Sequence, residues 1–178
     1  AAGVSVLYYG GGSEIITMAR AGSLCPHAVI DIKRIEELKE LTPGEGELTI
    51  GAACTLNQIK ESKLFPLLSL SCGRIADHTN QCRITLGGNL CASILYREAS
   101  LPLLLADAQA LLIGPSGRRC APFHSLFRGR MELLPGELVT GVRVPNWALG
   151  ARHAHIKKTA GEKIDYPLLS LAALWEGE

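Results

Sequence analysis

The chain has 178 residues, of which 47% are hydrophobic, and 18 basic against 17 acidic side chains leave a net charge of +1. That is enough apolar material for one domain or a tightly joined pair, and the balanced charge excludes the basic field of a nucleic-acid binder. The longest apolar stretch, Leu101 to Ile113, is broken by Asp107 and Gln109 and is too short to span a bilayer.

In chain order, Val4 to Tyr9 is β-branched and apolar and predicts a buried strand. A glycine loop follows, and Ser13 or Glu14 starts a helical stretch, Ile15 to Arg20, that Ala21-Gly22 ends. Ala28 to Ile32 is a second strand, Glu36 to Glu40 a single helical turn, and Pro43-Gly44-Glu45-Gly46 a turn into the strand Glu47 to Gly51. Thr55 caps a helix through Leu56, Ile59 and Leu64. These elements describe a small α/β lobe over residues 1–55.

Residues 56–178 read as a second lobe. Phe65 to Ala76 has helical periodicity, and Leu101 to Asp107 is a helix with Pro102 tolerable only in its first turn. Strands follow at Ala110 to Ile113, Arg118 to Ala121, Leu138 to Val144, Ala154 to Lys158 and Leu168 to Trp175. Gly114-Pro115-Ser116-Gly117 joins the first two as a hairpin. The fold class is α+β, two-lobed, with the cleft between the lobes as the natural ligand site.

Six scattered cysteines, without a C-x-x-C pair, argue against a metal or iron–sulfur site. With the opening Ala-Ala-Gly-Val-Ser-Val lacking an export signal, they read as reduced thiols and place the protein in the cytoplasm. The chain enters its first strand almost at once, as if an earlier piece were missing.

Two glycine-rich turns carry the functional signal: Gly10-Gly11-Gly12-Ser13-Glu14 and Thr85-Leu86-Gly87-Gly88-Asn89. Each lies between an apolar run and a helical stretch. Glycine lets a backbone turn sharply and present several N–H groups to one anion, and a following helix adds unpaired donors. Either turn alone is more often an ordinary strand-to-helix connection. Two together suggest a nucleotide diphosphate held from both sides.

The order of Gly10 to Ile15, Val29 to Leu38, Leu48 to Leu56, Thr85 to Leu90, Leu134 to Leu138, Val142 to Pro145 and Asp165 to Ala173 resembles the FAD-binding (medium) subunit of molybdenum hydroxylases. Xanthine dehydrogenase and carbon monoxide dehydrogenase contain such subunits. The resemblance implies the two-lobed fold shared with vanillyl-alcohol oxidase and p-cresol methylhydroxylase, with FAD between the lobes. It implies that Gly10, Gly11, Gly12, Ser13 and Glu14 wrap one side of the pyrophosphate and that Thr85, Leu86, Gly87, Gly88 and Asn89 approach from the other. Glu98 stands where the family has an aspartate that hydrogen-bonds the cofactor. The sequence departs from the family at Asn80-Gln81-Cys82 and at the bulky Ser93-Ile94-Leu95-Tyr96.

The implied function is electron transfer from a [2Fe–2S] small subunit through FAD to NAD⁺ or another acceptor, beside a molybdopterin-bearing large subunit. No catalytic acid, base or nucleophile is required, because the flavin carries the chemistry. The family also has a strand–helix lead and a further C-terminal domain that this chain lacks, so it reads as a fragment or split subunit. The rival is a non-catalytic flavin-fold assembly or scaffold subunit. Among single residues, His153 and His155 share a strand face but lack a third metal ligand. Lys157 either contacts a cofactor phosphate or coats an edge strand, and Tyr96 and Tyr166 pack on the flavin or in the core.

Overall fold

The computed structural model describes residues 5–177. Val4, read as the start of the opening strand, lies outside the described residues. Strand β1 (Val6–Tyr9) pairs in parallel with β2 (Ala28–Asp31), and α1 (Ser13–Arg20) connects them. Parallel strands need such a crossover, and here it is one short helix. None of the side chains of α1 is buried.

After a 3₁₀ turn at Glu36–Lys39, β3 (Leu41–Pro43) and β4 (Glu47–Gly51) form a hairpin. Strands β3 and β4, read with the small α/β lobe over residues 1–55, find their further sheet partners beyond it. Strand β4 pairs along its length with β7 (Leu138–Pro145), so β3 and β4 belong to a five-stranded antiparallel sheet of order β3-β4-β7-β5-β6. A strand's partner is set by distant residues, and no local pattern announced β7 as the neighbour of β4. Strand β7 is the middle of the sheet, and one side of it is the hairpin of β5 (Gln109–Gly114) and β6 (Gly117–Pro122), turned by Pro115-Ser116 as the sequence predicts.

Six helices follow the chain around this sheet: α2 (Leu56–Ser62), α3 (Pro66–Cys72), α4 (His78–Gln81), α5 (Leu86–Cys91), α6 (Ser100–Leu105) and α7 (Phe123–Leu126). A seventh, α8 (Asn146–Leu149), follows β7. Thr55 caps α2 in a full capping box with Gln58, and Pro102 falls in the first turn of α6. The helix read from Phe65 to Ala76 is shorter, because Gly73 ends it.

Leu48 and Ile50 of β4 face Val144 and Val142 of β7 in register, and all four are buried. Leu56, Ile59, Leu67, Leu68, Leu86 and Leu103 close over them to make one core. Each such side chain contributes about 1.5–3 kcal/mol when fully buried.

The last two strands, β8 (Arg152–Thr159) and β9 (Pro167–Trp175), form a separate antiparallel ribbon. Ala172 and Leu174 pack against the core. Ile156, Leu169, Leu171 and Trp175 are exposed.

Candidate FAD site at the junction of two glycine loops

The structure brings the two glycine loops into contact. A Cβ on Gly11 would be driven into the Arg83 carbonyl, and one on Gly10 would come within 2.9 Å of Thr85 Oγ1. Gly12 has φ of +74° as the N-cap of α1, a left-handed conformation that a side chain resists. The tyrosine ring of Tyr9 fills the space where its Cβ would stand. Both the shape of the first loop and its seat against the second therefore depend on glycine.

The loops differ in what their amides do. Among the described residues, the N–H groups of Gly11, Gly12, Ser13 and Glu14 have no acceptor. Ser13 Oγ is buried and also without a partner. These are the open donors that a helix N-terminus offers an anion. In the second loop the donors are engaged. Leu86 N–H donates to Cys54 O at 2.8 Å, Gly87 N–H to Ala52 O at 2.8 Å, and Gly88 N–H to Thr85 Oγ1 at 3.1 Å.

Gly87 serves close packing. A Cβ there would meet the Ala52 side chain at 2.8 Å and its carbonyl at 3.1 Å. Leu86 is fully buried, and Asn89, also buried, accepts the Ala99 N–H on Oδ1 at 3.3 Å. Of the two loops, only the first has a run of free backbone donors. The second is a platform bonded to the segment after β4. Sequence reasoning treated the two glycine pairs alike because composition does not report which amides are already paired.

Glu14 and Glu98 are both committed to the protein. Glu14 Oε1 accepts the Ser93 N–H at 2.8 Å and Oε2 the Ile94 N–H at 3.2 Å. Glu98, 6% exposed, accepts from Ser170 Oγ at 2.8 Å and from Lys157 Nζ at 3.1 Å. Lys157 also donates to Arg74 O at 2.7 Å. It neither coats an edge nor stands free: its side chain is 4% exposed, in a buried ion pair.

Arg97, beside Glu98, donates from Nε to Ala92 O at 2.9 Å and from Nη1 to Gly129 O at 2.6 Å. His155 is buried against Arg74, with Nδ1 2.9 Å from a guanidinium nitrogen. Burial first, then the charges of Arg74 and Lys157, hold its pKa below the ordinary histidine value, which favours the neutral ring. Tyr96 and Tyr166 stack on each other with ring centroids 4.5 Å apart. The sequence did not pair these residues, since the partners come from different elements.

Of the cysteines, Cys54 and Cys72 are buried, and desolvation pushes both thiols up. Cys25, Cys82, Cys91 and Cys120 are exposed. Among the described residues no group of three or more His, Cys, Asp or Glu could hold a metal ion. Among the described residues no helix is long and apolar enough to cross a membrane.

The first loop thus offers an anion an open amide row and an orphaned serine hydroxyl, beside a glycine contact that leaves no room for side chains. The family model described as the FAD binding domain in molybdopterin dehydrogenase matches residues 1–147. The chain belongs to this family. FAD is therefore its cofactor.

The carbon monoxide dehydrogenase medium chain of Hydrogenophaga pseudoflava is 30% identical over 160 residues, covering 85% of this chain and 56% of the relative. The glyceraldehyde dehydrogenase medium chain of Sulfolobus acidocaldarius is 28% identical, covering 91% and 59%. A solved carbon monoxide dehydrogenase from Hydrogenophaga pseudoflava, lacking the Mo-pyranopterin moiety of its molybdenum cofactor, superposes with a TM-score of 0.91 at 25% identity. That match covers 99% of this chain and 63% of the other. Quinoline 2-oxidoreductase from Pseudomonas putida 86 shares the fold at a TM-score of 0.88 and 21% identity, over 97% of this chain and 62% of that one. The chain thus spans less than two thirds of the length of these relatives.

Proposed function

We propose that this chain is the FAD-holding part of the medium subunit of a molybdenum hydroxylase. In this reading it takes electrons from a [2Fe–2S] partner and delivers them to NAD⁺ or another acceptor, with substrate oxidised on a molybdopterin-bearing subunit. The observation that carries the reading is the seat of the open first loop on Arg83 to Thr85, in a chain of this family. The two-lobed arrangement of the vanillyl-alcohol oxidase type belongs to the same proposal. The β1–α1–β2 unit represents the first lobe, and the five-stranded sheet with its helices forms the second.

When bound, FAD supplies redox chemistry in one- and two-electron steps. The chain supplies binding and position. The amides of Gly11, Gly12, Ser13 and Glu14, with Ser13 Oγ, receive the pyrophosphate. Gly10 and Gly11 keep that row against the second loop. Thr85, Leu86, Gly87, Gly88 and Asn89 form a wall in which the backbone N–H groups of Leu86 to Asn89 are satisfied internally, so it offers surface and shape. Glu98 acts here through the β8–β9 ribbon, by holding Lys157 and Ser170.

Cofactor identity tests the reading. Flavin released by heat from the purified protein and separated by chromatography should be FAD, because FMN offers the amide row one phosphate and lacks the pyrophosphate that the reading assigns to it. Recovery of FMN, or of no flavin after reconstitution, would overturn the assignment. The latter result would leave a scaffold role.

A further inference from the structure

The helix behind the first loop is attached in an unusual way. A short helix is normally fixed by an apolar face, and α1 has no fully buried residue, Ile15 and Met18 being half-buried. Two contacts tie it to the segments around the second loop. One is the backbone approach of Gly10 and Gly11 to Arg83 and Thr85. The other is Glu14, whose two carboxylate oxygens take the consecutive N–H groups of Ser93 and Ile94. In the segment they belong to, which leaves α5, Arg97 reaches back to Ala92 O and out to Gly129 O of another loop.

We propose that the side chain of Glu14 is a positioning group and not a cofactor ligand. Its carboxylate is a built-in anion for the Ser93–Ile94 amides, and it fixes α1 and its open donors against the second loop before a phosphate arrives. The inference rests on the assignment of the first loop to the pyrophosphate. Three physical points support it. Hydrogen bonds to an ionised acceptor are roughly twice as strong as neutral ones. An acid in the first turn of a helix is favoured by the helix dipole. A carboxylate aimed at a pyrophosphate would repel it, whereas one neutralised by two amides of another segment leaves the donors free for the incoming anion. Order paid for within the folded protein need not be supplied on binding.

The test compares the wild-type chain with Glu14→Ala, Glu14→Gln and Glu14→Asp. Amide hydrogen exchange is followed at Ser93 and Ile94, along with binding of FAD and of ADP, which carries a pyrophosphate but no flavin. Glu14→Ala should lose protection at both amides and bind FAD and ADP more weakly by the same factor, about tenfold. Glu14→Gln keeps one oxygen acceptor and should recover part of both. The absorbance spectrum of the bound flavin should be the same in every variant. Weaker FAD binding with protection unchanged would make Glu14 a direct ligand and overturn the proposal, as would lost protection with affinity unchanged or an altered flavin spectrum. Failure of the wild-type chain to bind either nucleotide would remove the loop assignment and this inference together, and the wild-type arm separates that case from the others.

Discussion

A single methyl group at position 11 is enough to force the two loops apart, because the Arg83 carbonyl already occupies the space where it would go. Gly11 itself does not have a positive φ, so alanine there brings a clash without backbone strain. Gly11→Ala should therefore lower FAD affinity by more than about tenfold, or over about 1.4 kcal/mol, while the sheet core keeps its circular dichroism. Gly150→Ala, where a Cβ would meet nothing within 4 Å, should leave affinity unchanged. Titration of apo-protein with FAD decides between them. At Glu98 the expected effect is on stability. Glu98→Ala strands Lys157 without its buried counter-charge and should cost about 3–5 kcal/mol in urea unfolding. The double variant Glu98→Leu with Lys157→Met should recover most of that, since replacing a buried ion pair by apolar groups is often neutral. The sequence made the glycines and the acid at position 98 visible as residues. It left their contacts invisible, since Arg83, Lys157 and Ser170 come from other elements.

Individual elements show where sequence reading works and where it stops. The cap at Thr55, the proline in the first turn of α6 and the Pro115-Ser116 hairpin were legible because each is a local rule satisfied by a few neighbouring residues. The placement of β4 beside β7 was not, because pairing depends on residues far away in the chain. Strand β3 was missed since Leu41–Pro43 is too short to show a period, and α4 because a single turn of polar residues has no apolar face. At the candidate site, the glycine runs were legible and the division of labour between them was not. Thr85 belongs to this scale as the cap of α5, accepting the Gly88 N–H. Thr85→Ala should cost about 1 kcal/mol and loosen the wall of the site, and Thr85→Ser should restore most of it. Thermal unfolding of the two variants side by side checks this.

For the whole molecule, Glu137 and His155 contribute to the response to acid, alongside the exposed, hydrogen-bonded carboxylates Asp31, Glu37 and Asp77. The Arg119 guanidinium, with the Leu134 amide, holds the Glu137 carboxyl at about 2. Its contribution is complete above the ordinary value of 4.5 and is lost as pH falls from there towards 2. His155 adds an earlier loss. Its folded pKa lies below 6.5, so the unfolded chain takes up the proton first and stability declines as pH drops below 6.5. Denaturation midpoints between pH 8 and pH 2.5 should fall in two stages, and Glu137→Gln should flatten the lower one. A single-stage profile in both proteins would count against this account. The absence of any buried side chain on α1 reaches further still. An element with no fully buried residue opens at less free energy than the core, so a protease sampling the native protein should find the stretch around Arg20 long before it reaches the sheet. A nucleotide seated on the amides ahead of α1 would oppose that opening by mass action. The rate of tryptic nicking at Arg20 should then serve as a gauge of cofactor occupancy, readable on a gel without any measurement of colour or electron flow.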